Sequence, residues 1–282
     1  MAYPVFDNHV HLQRKGRFTD AVKEFWRKGG TGFMLVALPP DEGLLNDDFF
    51  LRMYDEGVSI KKEAEEAADV DALLAIGPYP VTLLGLAGQL GIEQAEERMV
   101  RGVELAGEFI MEGKANAIGE VGRPHFPVSE ELLAASNRIM EACFRQAKSA
   151  GCSVILHTED PSPSSLAEIA GIADAGGMER GRVIKHHCTD LVYDDENSGI
   201  FPSVKATREL VLSAAKKGKR FVMETDYIDD PARPGAVLGI ATVPKRTREL
   251  LGAGIFSEED IWKVNYENPA KLYGKEWFRK TA

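Results

Sequence analysis

Six histidines occur in the sequence, His9, His11, His125, His157, His186 and His187, and five of them fall where short β-branched and apolar runs end. His9 and His11 are two apart in Asp7-Asn8-His9-Val10-His11, so on a strand both imidazoles leave the same face. Two neutral imidazoles converging there suit a divalent metal ion. The pattern continues downstream. Glu120 ends Ala-Ile-Gly-Glu, His157 ends Val-Ile-Leu-His, His187 follows Val-Ile-Lys-His, and Asp226 ends Val-Met-Glu-Thr-Asp. Each is a metal-competent group at the carboxyl end of a run. A buried carboxylate without partners carries a heavy desolvation cost, which a cation removes while accepting its lone pairs. His186 and His187 are neighbours, so only one of them can face the side the others face.

Residues this far apart meet only if the elements carrying them are parallel strands ending at one edge. Eight candidate strands recur: Val5–His11, Gly32–Leu38, Ala72–Ile76, Ala115–Glu120, Val154–His157, Val183–His187, Gly199–Phe201 and Phe221–Asp226. Several are nearly continuous apolar stretches, as parallel strands covered on both faces require. Helical spacing fills most of the gaps. From Ser129 to Ala150 the residues Leu132, Ser136, Met140, Cys143 and Ala147 recur every three or four positions behind a Ser129 cap. Ser257 caps another helix with Asp260 in the capping-box position, and Asn268-Pro269 opens a last helix that Gly274 closes.

Eight strands alternating with helices in 282 residues, without a linker, predict an α/β chain folded as a single (β/α)8 TIM barrel over residues 1–282, with a doubly wound sheet as the alternative. Barrel sites form at the carboxyl ends of the strands, and residues 41–68 are expected as a βα insertion over that face. The 34 Lys+Arg against 44 Asp+Glu leave a net charge of -10, which argues against a surface built throughout to grip polyanions. Its 44% hydrophobic and 28% charged residues are those of a soluble globular chain. The longest apolar run, Phe33–Leu38, is too short for a bilayer. The first residues lack a secretory signal pattern, and Cys143, Cys152 and Cys188 form no CxxC pair, so a cytoplasmic location with reduced thiols is expected.

Taken in order, the residues resemble the TatD-like metal-dependent hydrolases of the amidohydrolase superfamily. The likeness runs through Asp7-Asn8-His9-Val10-His11, the Ala-Ile-Gly-Glu-Val-Gly run ending at Gly122, the strand to His157, His187-Cys188-Thr189, Ser198-Gly199-Ile200, Glu224-Thr225-Asp226, and Asn268 to Gly274. It implies a barrel holding two divalent ions, Zn²⁺ first, with Mn²⁺, Fe²⁺ or Ni²⁺ also compatible with the donors. By family likeness His9, His11 and Asp226 hold one ion, His157 and His187 the other, and Glu120 bridges them. His187 is preferred to His186 because the family-like run is His-Cys-Thr; that choice turns Lys185 inward as well. Water on such ions has its pKa lowered towards ~7, with Asp226 as the general base. Asp7 and Glu224 are candidate acceptors for ligand N–H groups.

Three stretches depart from the family's nucleases: Gly77-Pro78-Tyr79-Pro80, Gly122-Arg123-Pro124, and Glu159 where the family has Arg. Arg grips phosphate bidentately and Glu repels it, so Glu159 weighs against a phosphodiester, with Arg123 able to compensate. Tyr79, Arg123, His125 and Glu159 are candidate substrate contacts. The basic runs 216–220 and 245–248 read as solvated helix faces. The sequence thus predicts a metal-dependent hydrolase acting on an ester, amide or phosphoester, in a small-molecule or nucleic-acid-derived substrate. The alternatives are a TatD-type deoxyribonuclease and a non-catalytic metal- or ligand-binding barrel.

Overall fold

The computed structural model describes residues 3–233 and 237–274. Residues 1–2, the start of the stretch expected to lack a secretory signal, and the far end of the 1–282 domain range lie outside the described residues. One all-parallel sheet organises the chain. Its strands are β1 (Phe6–His11), β2 (Gly32–Val36), β3 (Asp71–Ile76), β4 (Ala117–Gly122), β5 (Ser153–His157), β6 (Val183–Cys188), β7 (Phe201–Lys205), β8 (Val222–Glu224) and β9 (Tyr227–Ile228). Neighbours follow chain order from β8 back to β1, and β9 pairs with the far side of β1. Because β8 and β9 are halves of one run broken at Thr225-Asp226, the two edges of the sheet belong to the same stretch of chain, giving a TIM-barrel-like (β/α)8 fold.

Two expected elements shift for a backbone reason. The seventh strand begins at Phe201, since Ser198 (φ 55°) and Gly199 (φ 83°) are both left-handed and interrupt extended chain before it. The eighth breaks where Asp226 takes φ 53°. The helix Phe49–Ala67 buries Phe49, Phe50, Met53, Tyr54, Ile60 and Ala64 in the core shared with β2 and β3. Most of the 41–68 segment is therefore the ordinary crossover helix of a βαβ unit. Ser129 and Ser257 cap their helices as expected, through Leu132 N and Asp260 N.

The barrel interior is an apolar layer of Phe6, Met34, Val36, Leu73, Ala75, Ala117, Ile155, Ile184, Phe201 and Val222, joined by Leu272 of the terminal helix Asn268–Tyr273. Counting in twos from Phe6 would send His9 and His11 outward, and counting from Ala117 would do the same to Glu120. The ladders show why the structure differs. Asp7 and Val10 pair with Phe33 and Leu35, and Ile118 and Val121 with Val154 and Leu156, so β1 and β4 each carry one extra residue. A β-bulge inverts the facing of the residues beyond it. Val10 and Val121 accordingly join the outer core, and the residues beside them turn inward. In β6 the same irregularity falls between Lys185 and Cys188.

At Gly119, inside the β4 bulge, a Cβ would stand 2.7 Å from Ile155 Cβ and 2.9 Å from its carbonyl oxygen, so nothing larger than glycine fits. Gly119→Ala is expected to lower unfolding free energy by about 1–3 kcal/mol, read from the urea midpoint at unchanged m-value. An unchanged midpoint would mean that β4 yields at this point.

Candidate metal centre

The inward-turned residues meet at the carboxyl ends of the strands. His9 Nε2 lies 3.2 Å from His11 Nε2, 3.5 Å from Glu120 Oε1 and 3.9 Å from Asp226 Oδ1. His11 Nε2 stands 3.6 Å from Asp226 Oδ1 and 3.9 Å from Glu120 Oε2. On the other side of Glu120, its Oε1 is 2.9 Å from His157 Nδ1 and 3.4 Å from His186 Nε2. Among the described residues, two sets of donor atoms are compact enough for a cation: His9, His11 and Asp226, and His9, Glu120 and His186. His9, His11, Glu120 and His186 are buried, while His157 and Asp226 keep the edge open.

Burial drives His9 down to about 3, with the neighbouring His186 adding to it, so its ring is neutral. Burial opposes charge on Glu120, yet His9, His157 and His186 hold it well below the ordinary carboxylate range. Asp226 is likewise lowered, against burial, by His186 and His11. His186 is pushed the other way, up to about 9: burial opposes its charge, but Glu224, Asp226 and Glu120 together outweigh it. Neutral His9 and ionised carboxylates are the protonation states that metal ligands adopt, and a bound cation would take the place of the His186 proton. His9 Nδ1 is buried without a hydrogen-bond partner among the described residues. The donor set therefore fits divalent ions.

Outer contacts fix these groups. His11 Nδ1 lies 3.0 Å from the Val36 carbonyl. Asp7 accepts from Thr225 N (2.9 Å), Thr225 Oγ1 (2.7 Å) and His9 N (3.2 Å), binding the strand break that aims Asp226 to the strand that carries His9. Glu224, fully buried, has Oε1 2.9 Å from His186 Nδ1 and accepts from His187 N at 2.6 Å; its Oε2 accepts from Ser203 Oγ.

A family model for TatD-related DNases matches residues 6–274, end to end with this barrel. The chain belongs to the TatD-related DNase family, and with it is a metal-dependent hydrolase. An uncharacterized protein of Methanocaldococcus jannaschii is 37% identical over 273 residues, covering 96% of this chain and 95% of its own. Among solved structures, the TatD-like protein of Archaeoglobus fulgidus matches with a TM-score of 0.65 at 17% identity, over 95% of this chain and 98% of that one. The phosphotriesterase homology protein of Escherichia coli, complexed with phosphate in its active site, gives 0.64 at 14%, over 96% and 99%. A mutant phosphotriesterase-like lactonase of Deinococcus radiodurans gives 0.63 at 16%, over 96% and 95%. These likenesses show the fold.

Against the TatD-family ligand scheme, the structure groups His9, His11 and Asp226 as expected and sets Glu120 between two donor sets. His187 is corrected. It takes φ 55° in the β6 bulge and contributes its backbone N–H to Glu224, while His186, two residues after inward-facing Ile184, enters the cluster and stacks on His9 with ring centroids 3.8 Å apart. Lys185 is corrected with it. It shares the outer face with Cys188, which the bulge turns to the same side, and does not face the barrel interior.

Arg123 and Glu159 form a pair at 3.0 Å, and the buried guanidinium also donates to Glu168 (2.7 Å) and Asn137 (2.7 Å). Glu159 therefore does not confront the centre as an uncompensated charge. His125 Nδ1 is 2.9 Å from His157 Nε2, and Tyr79 lies edge-on to His157 with centroids 5.2 Å apart, so both stand at the mouth. His186 is what the sequence preference missed. Counting in twos from Ile184 would have found it.

His186→Ala is expected to weaken divalent-metal binding by more than the roughly 10–100-fold that losing a hydrogen bond to a ligand costs. His187→Ala should leave it within about threefold of wild type, since the contact His187 makes with Glu224 is through its backbone N–H. Titration of both metal-stripped variants with Zn²⁺ against a chromophoric chelator checks this. The reverse ranking would restore His187.

Proposed function

We propose that this chain hydrolyses phosphoesters at a two-ion centre, on a nucleic-acid-derived substrate, in the cytoplasm, with residues 1–282 acting as one domain. The observation that carries the reading is the position of Glu120, whose Oε1 lies within 3.5 Å of nitrogens from His9, His157 and His186 while Oε2 faces His11. One carboxylate shared between two sets of imidazoles suits two ions, with His9, His11 and Asp226 on one, His157 and His186 on the other, and Zn²⁺, Mn²⁺, Fe²⁺ or Ni²⁺ as candidates. When bound, such ions supply Lewis acidity and a water ionised near neutrality.

The protein's own residues do the remainder. Asp226, ionised and at the open edge, accepts the proton of the attacking water and relays it to the leaving group. Asp7 holds the Thr225 backbone that orients it. Tyr79 and His125 flank the mouth, where the leaving group would depart. Engaged by Arg123, Glu159 presents no bare negative charge to a phosphodiester.

A second reading, attack on a carbonyl in an ester or amide, is favoured by one observation. Arg123 is fully engaged by Glu159, Glu168 and Asn137, so it offers no free guanidinium to phosphate. The basic runs are similarly occupied: Lys217 pairs with Asp190 and Glu196, and Arg220 with Asp194 and two backbone carbonyls.

Protein loaded with Zn²⁺ or Mn²⁺ is expected to cleave bis(p-nitrophenyl) phosphate or single-stranded DNA faster than p-nitrophenyl acetate, to lose turnover on chelation and regain it on metal addition. Asp226→Asn should lower turnover at least ~10²-fold while remaining folded by circular dichroism. Preference for the acetate would favour the carbonyl reading, and wild-type turnover by Asp226→Asn would remove Asp226 as the base.

A further inference from the structure

Lys185 is among the most deeply buried charged side chains of the protein, only 1% exposed, and it forms no ion pair among the described residues. A lone buried ammonium is costly, and an apolar residue of similar length would fill the same space without that cost. What the amine does contact is specific. Nζ donates to the His186 carbonyl at 2.7 Å and reaches the Thr158 carbonyl at 3.4 Å.

Those two carbonyls lie where the β5–β6 ladder stops. The last backbone pair of these strands is Leu156 with Lys185, and beyond it β6 enters its bulge while the chain after β5 turns into a loop. His157 and His186 both sit just past that last pair. The His157 carbonyl is held from the other side, by the backbone N–H of Arg123 at 2.8 Å. On the β6 side the pairing ends at Leu156 with Lys185, and beyond that pair the lysine adds a cross-link from the outer face of the sheet. Inside the barrel, directly behind this link, the His157 and His186 rings stack with centroids 5.7 Å apart.

We propose that Lys185 is a positioning residue for the second half of the metal centre, its ammonium joining the His186 and Thr158 carbonyls so that the imidazoles of His157 and His186 keep the separation one cation requires. This rests on the two-ion reading. Lys185 touches neither substrate nor ion, so its loss should alter how the second ion is held and leave the His9, His11 and Asp226 set intact.

The test is titration of metal-stripped protein with Zn²⁺ against a chromophoric chelator, alongside thermal melts of the metal-free form. For Lys185→Met, which keeps the length and removes the donors, one site should retain wild-type affinity and the other weaken by about 10–100-fold, as for other outer contacts to ligands. Lys185→Gln, with a shorter donor, should fall between. Two sites of wild-type affinity in Lys185→Met would overturn the proposal, as would equal weakening of both. If neither variant folds, the lysine holds up the fold and the proposal is wrong. Wild-type protein that takes up fewer than two ions would instead sink the two-ion reading.

Discussion

The structure depends on one unfavourable juxtaposition: imidazoles and carboxylates drawn together above an apolar barrel core, at distances where they would not stay without compensation. His9 is fully buried with a ring nitrogen unpartnered among the described residues, its other nitrogen 3.2 Å from that of His11, and Glu120 stands among them ionised in a low-dielectric setting. Packing alone gives no reason to assemble such a group. Divalent cations do, because they satisfy nitrogen and oxygen lone pairs together and reverse the sign of the local field.

Much of the remaining architecture serves to hold that arrangement. The bulges in β1 and β4 turn His9, His11 and Glu120 against the pleat that their own strands begin with. Asp226 lies on the same face as inward-facing Val222, and Asp7 secures the break beside it from β1. A further chain of buried hydrogen bonds runs from Tyr273 of the terminal helix through Asn8 and Ser203 to Glu224, whose other oxygen lies 2.9 Å from His186 Nδ1. Strand β1 and the terminal helix are thereby both tied to the orientation of one imidazole. Fixing ligands from outside in this way is how a protein tunes a metal site.

The sequence made the barrel legible because its strands are long enough, apolar enough and regularly enough separated for period and spacing to agree. It also made the donor residues legible, since five of the six histidines fall at strand ends. What it could not convey was facing. His9 with His11 implied a common side but not which side, as Phe6 and His9 share the interior only through an extra residue in the ladder. The preference for His187 weighed a neighbouring motif letter above the pleat continuing from Ile184, which brings His186 to the cluster. Glu159 misled differently. Its charge and the compensating Arg123 were both visible, but not that Glu168 and Asn137 hold the same guanidinium.

Everything in this mechanism turns on two cations occupying the cluster with Glu120 between them. Crystals of protein grown with Zn²⁺ or Mn²⁺, with diffraction recorded on both sides of the metal absorption edge, would reveal them. Two anomalous peaks are expected, one contacted by His9, His11 and Asp226, the other by His157 and His186, and both by Glu120. No peak at the cluster, or a single ion that leaves His157 and His186 uncoordinated, would contradict the two-ion centre.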